Sequence, residues 1–237
     1  MKKKLCALVL AVAMSVLVLT GCGGGGSSGT ISGDSQTPGG GGLSIHLLGA
    51  TWEKDQDYTW LYYCAEVTNT NSQASSVSSV IVTPKSKNGG TLAVLQWDTI
   101  GPIAGGDTVR FSGVEYYKGE APEKVKLSLD LLNKYDSYND NYHKAVPSSK
   151  LQIVNSSMSS DMKMITGTLV NNGSIEAERV RISVLFKKNG KYIGGNYDYV
   201  ADVQPNGGKA DFEINLYKRF TTPGDFDSYE IVAAMGT

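Results

Sequence analysis

Residues that could do chemistry are sparse in this chain of 237 residues. It has two histidines, His46 and His143, and three cysteines, Cys6, Cys22 and Cys64. A nucleophile needs a base beside it, and a zinc site needs clustered His or Cys ligands. No CxxC, HExxH or GxSxG motif occurs. The glycine run Gly23–Gly26 lacks the Lys-Ser/Thr and the preceding strand of a phosphate loop, so it reads as linker. His46 lies between Ile45 and Leu47 and is expected on the outward face of a strand, while His143 falls in a polar segment. Tyr135–Tyr142 carries Asp136, Asn139, Asp140 and Asn141, hard oxygen donors of the kind Ca²⁺ takes. It lacks the central Gly and closing Glu of an EF-hand loop, and a polar linker is expected instead. The inventory leads to the expectation of a non-enzyme with no catalytic residue, no metal site and no cofactor.

A binding surface is the other option. Trp52, Trp60 and Trp97 all fall in the first half, with Tyr58, Tyr62, Tyr63, Tyr116 and Tyr117. In a strand, successive side chains take opposite faces. If Tyr63, Ala65 and Val67 face a core, then Trp60, Tyr62 and Cys64 face away. Left outward, Trp60 and Tyr62 form a candidate binding patch suited to sugars or to a protein hot spot. Packed under a loop, in the other sheet's core or against a second domain, they are structural. Cys64 reads as a small apolar packing residue.

These residues need elements to hold them, and the chain is organised in blocks. Met1–Lys4 is basic and Leu5–Leu19 is an almost unbroken apolar run of 15 residues. That is short of the roughly 20 a membrane span needs and matches a signal-peptide core. Leu19-Thr20-Gly21-Cys22 closes it. This resembles the lipobox of bacterial lipoproteins, which implies cleavage after residue 21 and a diacylglycerol thioether on Cys22. Two acyl chains give the double anchor that stable attachment requires. The expected location is the extracytoplasmic face of the cell membrane. Cys64 then has no partner within the chain, and no disulfide framework is expected. Removing residues 1–21 takes away three lysines and leaves 19 Lys+Arg against 23 Asp+Glu, a formal charge of −4. That balance gives no general attraction to nucleic acid or to anionic lipid.

Gly23–Gly42 has almost no apolar side chains and is expected to be a disordered linker. Short β-rich runs follow. The polar, Tyr-rich stretch Asn133–Lys150 is taken as a second linker, which leaves Leu43–Leu132 and Leu151–Thr237 as two domains. The halves repeat each other. Tyr63–Asn69 parallels Ile165–Asn171, and Val80–Val82 parallels Val180–Phe186. Lys87-Asn88-Gly89-Gly90 parallels Lys188-Asn189-Gly190-Lys191, and both predict type I′ hairpins. A Gly-Gly turn follows in each half at Gly105-Gly106 and Gly207-Gly208, then a last strand at Val125–Leu129 and Tyr229–Val232. Alternation in Val180–Val184 predicts one buried face, with Arg181 on the wet face. Leu127–Lys134 has room for at most a short helical turn. The expected fold is all-β: two tandem immunoglobulin-like antiparallel sandwiches.

The second half resembles the FxLYD-type domain of bacterial surface lipoproteins. The residues that carry this are Gly167–Gly173, Val180–Phe186, Lys188–Gly194 and Val203–Gly208 before Phe212. The chain departs from that pattern at Leu185-Phe186-Lys187, where the family has an aromatic pair followed by Asp. Leu43–Leu132 is a weaker match and resembles immunoglobulin-like domains of unknown function in bacterial lipoproteins. The resemblance implies non-catalytic extracellular sandwiches with no cofactor. The functional expectation is a lipid-anchored surface protein acting as a spacer or interaction module with an unknown protein or glycan partner. Its alternative is a glycan- or peptide-binding accessory lipoprotein that uses Trp60 and Tyr62.

Overall fold

The computed structural model describes residues 28–32, 37–40, 42–131, 144–216 and 219–235. Cys22, the stretch 132–143 with His143, and the terminal residues 236–237 lie outside them. Among the described residues every regular element is a strand except one 3-10 turn at Ser148–Lys150.

The first sandwich pairs two sheets. One holds β1 (Ser28–Ser32), β2 (Thr37–Gly40), β3 (Leu43–Asp55), β4 (Tyr58–Asn69) and β7 (Thr108–Lys118) in the order β1-β3-β4-β7, with β2 also on β3. The other holds β5 (Val77–Lys85), β6 (Leu95–Asp98) and β8 (Lys124–Leu131) in the order β6-β5-β8. Leu43, Ile45 and Leu47 alternate into the space between the sheets and meet Phe111, Val80, Val82 and Leu127 there. Burying each such side chain stabilises the fold by about 1.5–3 kcal/mol.

The second sandwich repeats the plan. Its sheets are β13-β10-β9 and β12-β11-β14, built from β9 (Leu151–Met158), β10 (Met164–Asn171), β11 (Ala177–Lys188), β12 (Lys191–Val203), β13 (Gly208–Asn215) and β14 (Ser228–Met235). The six strands β3–β8 correspond one to one with β9–β14, in the same sheets and the same lateral order. All pairings are antiparallel. The chain is thus all-β with immunoglobulin-like sandwiches, as its alternation and turn spacing predict.

Three local expectations are corrected. Ser28–Ser32 and Thr37–Gly40, expected to be disordered linker, are edge strands on β3. The free edge of β3 offers unpaired backbone groups, and Ile31 inserts into the first core, so a short polar segment gains both ladder bonds and burial. Pro38 fits because an edge strand can spare an N–H. The hairpin at Lys188–Lys191 is the type I′ turn expected, with Asn189 at φ 50° and Gly190 at φ 72°. Its counterpart is different. There Gly89 alone has positive φ (80°), and its N–H donates to the Ser86 carbonyl at 2.9 Å. Finally, Leu127–Leu131 continues β8 instead of forming a helical turn.

Candidate functional site

The alternation along β4 divides its side chains between two environments. Leu61, Tyr63, Ala65 and Val67 face the first core. Trp60, Tyr62 and Cys64 face the opposite way, as the sequence implies, and this face meets the second sandwich. Tyr62 is 2% exposed and meets Phe220 edge-on at 5.8 Å. Burial, then the charge of Glu53, pushes its phenol pKa well up. Tyr62 is therefore not part of an open binding patch; the second sandwich covers it. Cys64 is fully buried, and burial pushes its thiol pKa well up, which leaves it an inert packing residue.

Trp60 is half-buried: part of it packs against the second core beside Tyr62, and the rest meets other aromatics. Its ring stacks on Tyr116 at 4.9 Å, and Tyr58 meets Tyr116 edge-on at 5.9 Å. Tyr58 and Tyr116 are 45% and 54% exposed. The aromatic surface thus lies one step along the strands from the expected patch, at the end of β4 and β7, and comprises Tyr58, Trp60 and Tyr116.

Between the sandwiches, β12 lies across the first sheet. The Tyr192 carbonyl reaches Gly49 on β3, Gly194 packs on the Tyr62 backbone of β4, and the Asn196 carbonyl accepts from Ser112 Oγ of β7 at 2.6 Å. Thr51 Oγ1 donates to the Ile193 carbonyl. Residues 192, 194 and 196 thus meet three successive strands, which is orthogonal sheet packing. A Cβ at Gly49 would stand 1.9 Å from the Tyr192 oxygen, so the approach requires glycine there.

Arg181 is a correction to the sequence reading. Expected on a wet face, it is fully buried, because that face of β11 is covered by the first sandwich. Its guanidinium takes Asp98 in a bidentate pair, donating through Nη1 to Oδ1 and through Nη2 to Oδ2, the latter at 3.1 Å. It also donates to the Thr99 carbonyl at 2.9 Å and to the Ser112 carbonyl, and it lies 3.5 Å over the Tyr197 ring. Tyr63 donates its hydroxyl to the same Asp98 at 2.5 Å. Burial alone would lower the Arg181 pKa; Asp98, Tyr199 and Tyr197 outweigh it, and the net direction is up. Burial, then Asp98, pushes the Tyr197 phenol up to about 12. A second contact joins Arg110 on β7 to Glu230 on β14 at 2.7 Å and to the Tyr192 hydroxyl at 2.8 Å, with Lys187 on Glu230 at 3.2 Å.

Sequence reasoning missed Asp98. The available signal was Leu185, which shares a strand face with Arg181 and Ser183; an apolar residue there speaks against water. His46 is half-buried and lines a cleft of about 590 Å³ with Thr30, Leu47, Lys188, Lys191 and Tyr192. Among the described residues no group of three His, Cys, Asp or Glu is placed to hold a metal ion.

Known proteins offer no closer guide. No protein-family model matches the chain, and no curated protein matches it. The FxLYD resemblance of Leu151–Thr237 therefore rests on the residues quoted for it. What the structure does give is one closed interface, Arg181–Asp98 at its centre, and one open aromatic cluster, Tyr58–Trp60–Tyr116.

Proposed function

We propose that this protein is a non-catalytic, lipid-anchored surface protein whose paired sandwiches act as a spacer and interaction module. The buried Arg181–Asp98 pair carries the reading. A charge pair that is desolvated on both sides holds its two partners in one geometry, because separating them strands both charges. Two sandwiches fixed in this way make a stiff body that can project a surface from its anchor. The anchor is Cys22, by the resemblance of Leu19–Cys22 to a lipobox. The experiment is fractionation of cells that make the full chain. The wild type is expected in the membrane fraction and Cys22→Ala in the soluble fraction or the medium; retention of the variant in the membrane overturns the anchor.

The alternative, a glycan- or peptide-binding accessory lipoprotein, is favoured by one observation: Tyr116, stacked on Trp60, is 54% exposed. Tyr62 takes no part in it. A glycan array probed with the wild type and with Tyr116→Ala tests this reading; a hit lost in the variant supports it, and no hit removes it.

A further inference from the structure

Strand pairing fixes where the anchor meets the fold. Ser28 stands opposite Glu53 on β3, Glu53 opposite Trp60 on β4, and Trp60 opposite Tyr116 on β7. These four residues form one row across the sheet. Its three inter-strand steps cover about 14 Å. From Cys22 to Ser28 is six residue steps, at most about 21 Å of fully extended chain. The expectation of a tether of some twenty residues fails, because β1 has already joined the sheet by Ser28. A lipid on Cys22 therefore brings the bilayer to the end of the sandwich that carries Tyr58, Trp60 and Tyr116.

The two ends of the sandwich differ. At the Ser28 end lie the β3–β4 turn, the start of β8 and the β5–β6 turn, since Lys85 pairs with Lys124. At the other end lie Leu43, Asn69 and Thr108, with Leu131, after which the chain passes to the second sandwich. The large hydrophobic side chains exposed among the described residues are Tyr58, Tyr116 and Val94. The first two belong to the cluster, and Val94 lies on the segment returning from the β5–β6 turn. Around them Asp57 is matched by Lys118 at 3.2 Å, Lys85 and Lys87 stand on the neighbouring turn, and Glu53, Glu120 and Glu123 lie at the same end, so both signs of charge are present. Rings with one polar edge suit the headgroup layer of a membrane, and the mixed charge around them fits zwitterionic lipid.

We propose that the Ser28 end of the first sandwich docks on the bilayer that holds the Cys22 lipid, with Tyr58, Trp60 and Tyr116 seated at headgroup level. The inference rests on the lipid-anchor reading. Docking needs little intrinsic affinity, because a short tether makes the contact intramolecular at an effective concentration of about millimolar. The second sandwich, which the chain enters from the far end, is then held at a set orientation to the membrane.

The test supplies the anchor chemically, so that its outcome does not depend on processing in the cell. The chain from Cys22 to Thr237 is coupled through Cys22 to a maleimide phospholipid in vesicles of phosphatidylcholine with a minor share of phosphatidylglycerol. Cys64 is fully buried and does not compete. The readout is quenching of tryptophan emission by a lipid spin-labelled at its headgroup. The expected result is a loss of up to about a third of the emission, the share of one tryptophan in three, abolished by Trp60→Phe and at least halved by the exposed double change Tyr58→Ser/Tyr116→Ser. Absence of quenching, or quenching that these substitutions leave unchanged, overturns the docking. So does quenching by labelled glycan fragments but not by labelled lipid, which would assign the cluster to a sugar. Flotation of the cell-derived protein tests the anchor separately, so failure of one claim is distinguishable from failure of the other.

Discussion

Asn69 and Asn171 hold the same hydrogen bonds in the two sandwiches. Each donates its Nδ2 to the carbonyl four residues on, Gln73 and Ile175, both at 2.9 Å. Each donates again at 2.9 Å to a more distant carbonyl, Ile103 and Val203. Each Oδ1 accepts from the N–H two residues on, Asn71 at 3.0 Å and Gly173 at 2.9 Å. Both side chains are fully buried. Each thus satisfies at least three main-chain groups where β4 or β10 ends and the chain turns toward the other sheet.

An unsatisfied buried polar group costs about 1–3 kcal/mol. Asn69→Ala and Asn171→Ala should each lower stability by about 2–4 kcal/mol, with relaxation and water entry offsetting part of the three lost bonds. Urea titration followed by tryptophan emission reports the first sandwich, since all three tryptophans lie there. Amide exchange reports the second. A loss below about 0.5 kcal/mol in either variant would remove the claim that these residues fasten the repeat.

This duplicated asparagine shows how far the sequence was legible. Tyr63–Asn69 aligns with Ile165–Asn171 by pattern alone, and the matched turns and strands announce a repeated all-β plan; the lateral order of the strands comes from their pairing. What pattern reading does not give is how the sandwiches face each other. Period-2 alternation tells two faces apart but not what covers the second face. Alternation therefore puts Arg181 in water and leaves Tyr62 open between an exposed patch and packing against the second domain, whereas in the structure each lies under the other sandwich. The edge strands β1 and β2 were illegible for a related reason. Their residues have little strand preference of their own, and it is the open edge of β3 that recruits them.

The Arg181–Asp98 pair gives a double-mutant test. Removing one partner of a buried pair leaves the other charge stranded, at about 3–5 kcal/mol. Arg181→Met and Asp98→Asn should each cost about that much in urea unfolding. The double variant Arg181→Met/Asp98→Asn should be less destabilised than the sum of the singles, because no uncompensated charge remains. Strict additivity would show that the two residues do not act as a pair.

Gly49 tests the sheet crossing. Its missing Cβ makes room for the Tyr192 carbonyl, which a methyl group would approach to 1.9 Å. Both atoms are bound to backbone, so the clash is relieved only by separating β3 from β12. Gly49→Ala should cost about 1–3 kcal/mol and raise amide exchange along β12. It should also expose Cys64, on the same covered face, to thiol reagents. Unchanged Cys64 labelling and unchanged exchange would refute the close approach.

Acid should loosen the same interface through Glu230. Burial acts to raise the pKa of this carboxyl, but the hydrogen bonds from Tyr192 and Lys187 and the charge of Arg110 outweigh it. The folded value therefore lies below the ordinary 4.5. A depressed folded pKa means that the unfolded chain takes up a proton first as pH falls. The stabilisation is present in full above the unfolded value of about 4.5 and disappears as pH drops through the lower folded value. Arg110 and Lys187 are held above their ordinary values and stay charged throughout this window, so the loss follows the carboxyl alone. Other carboxylates titrate in the same range, which makes the difference between two proteins the useful readout. Glu230→Gln should have a lower denaturation midpoint than wild type at neutral pH. The two should converge as pH falls below about 4.5, because protonation removes from the wild type the interaction that the substitution has already removed. Parallel profiles across that range would show that Glu230 does not link the sandwiches.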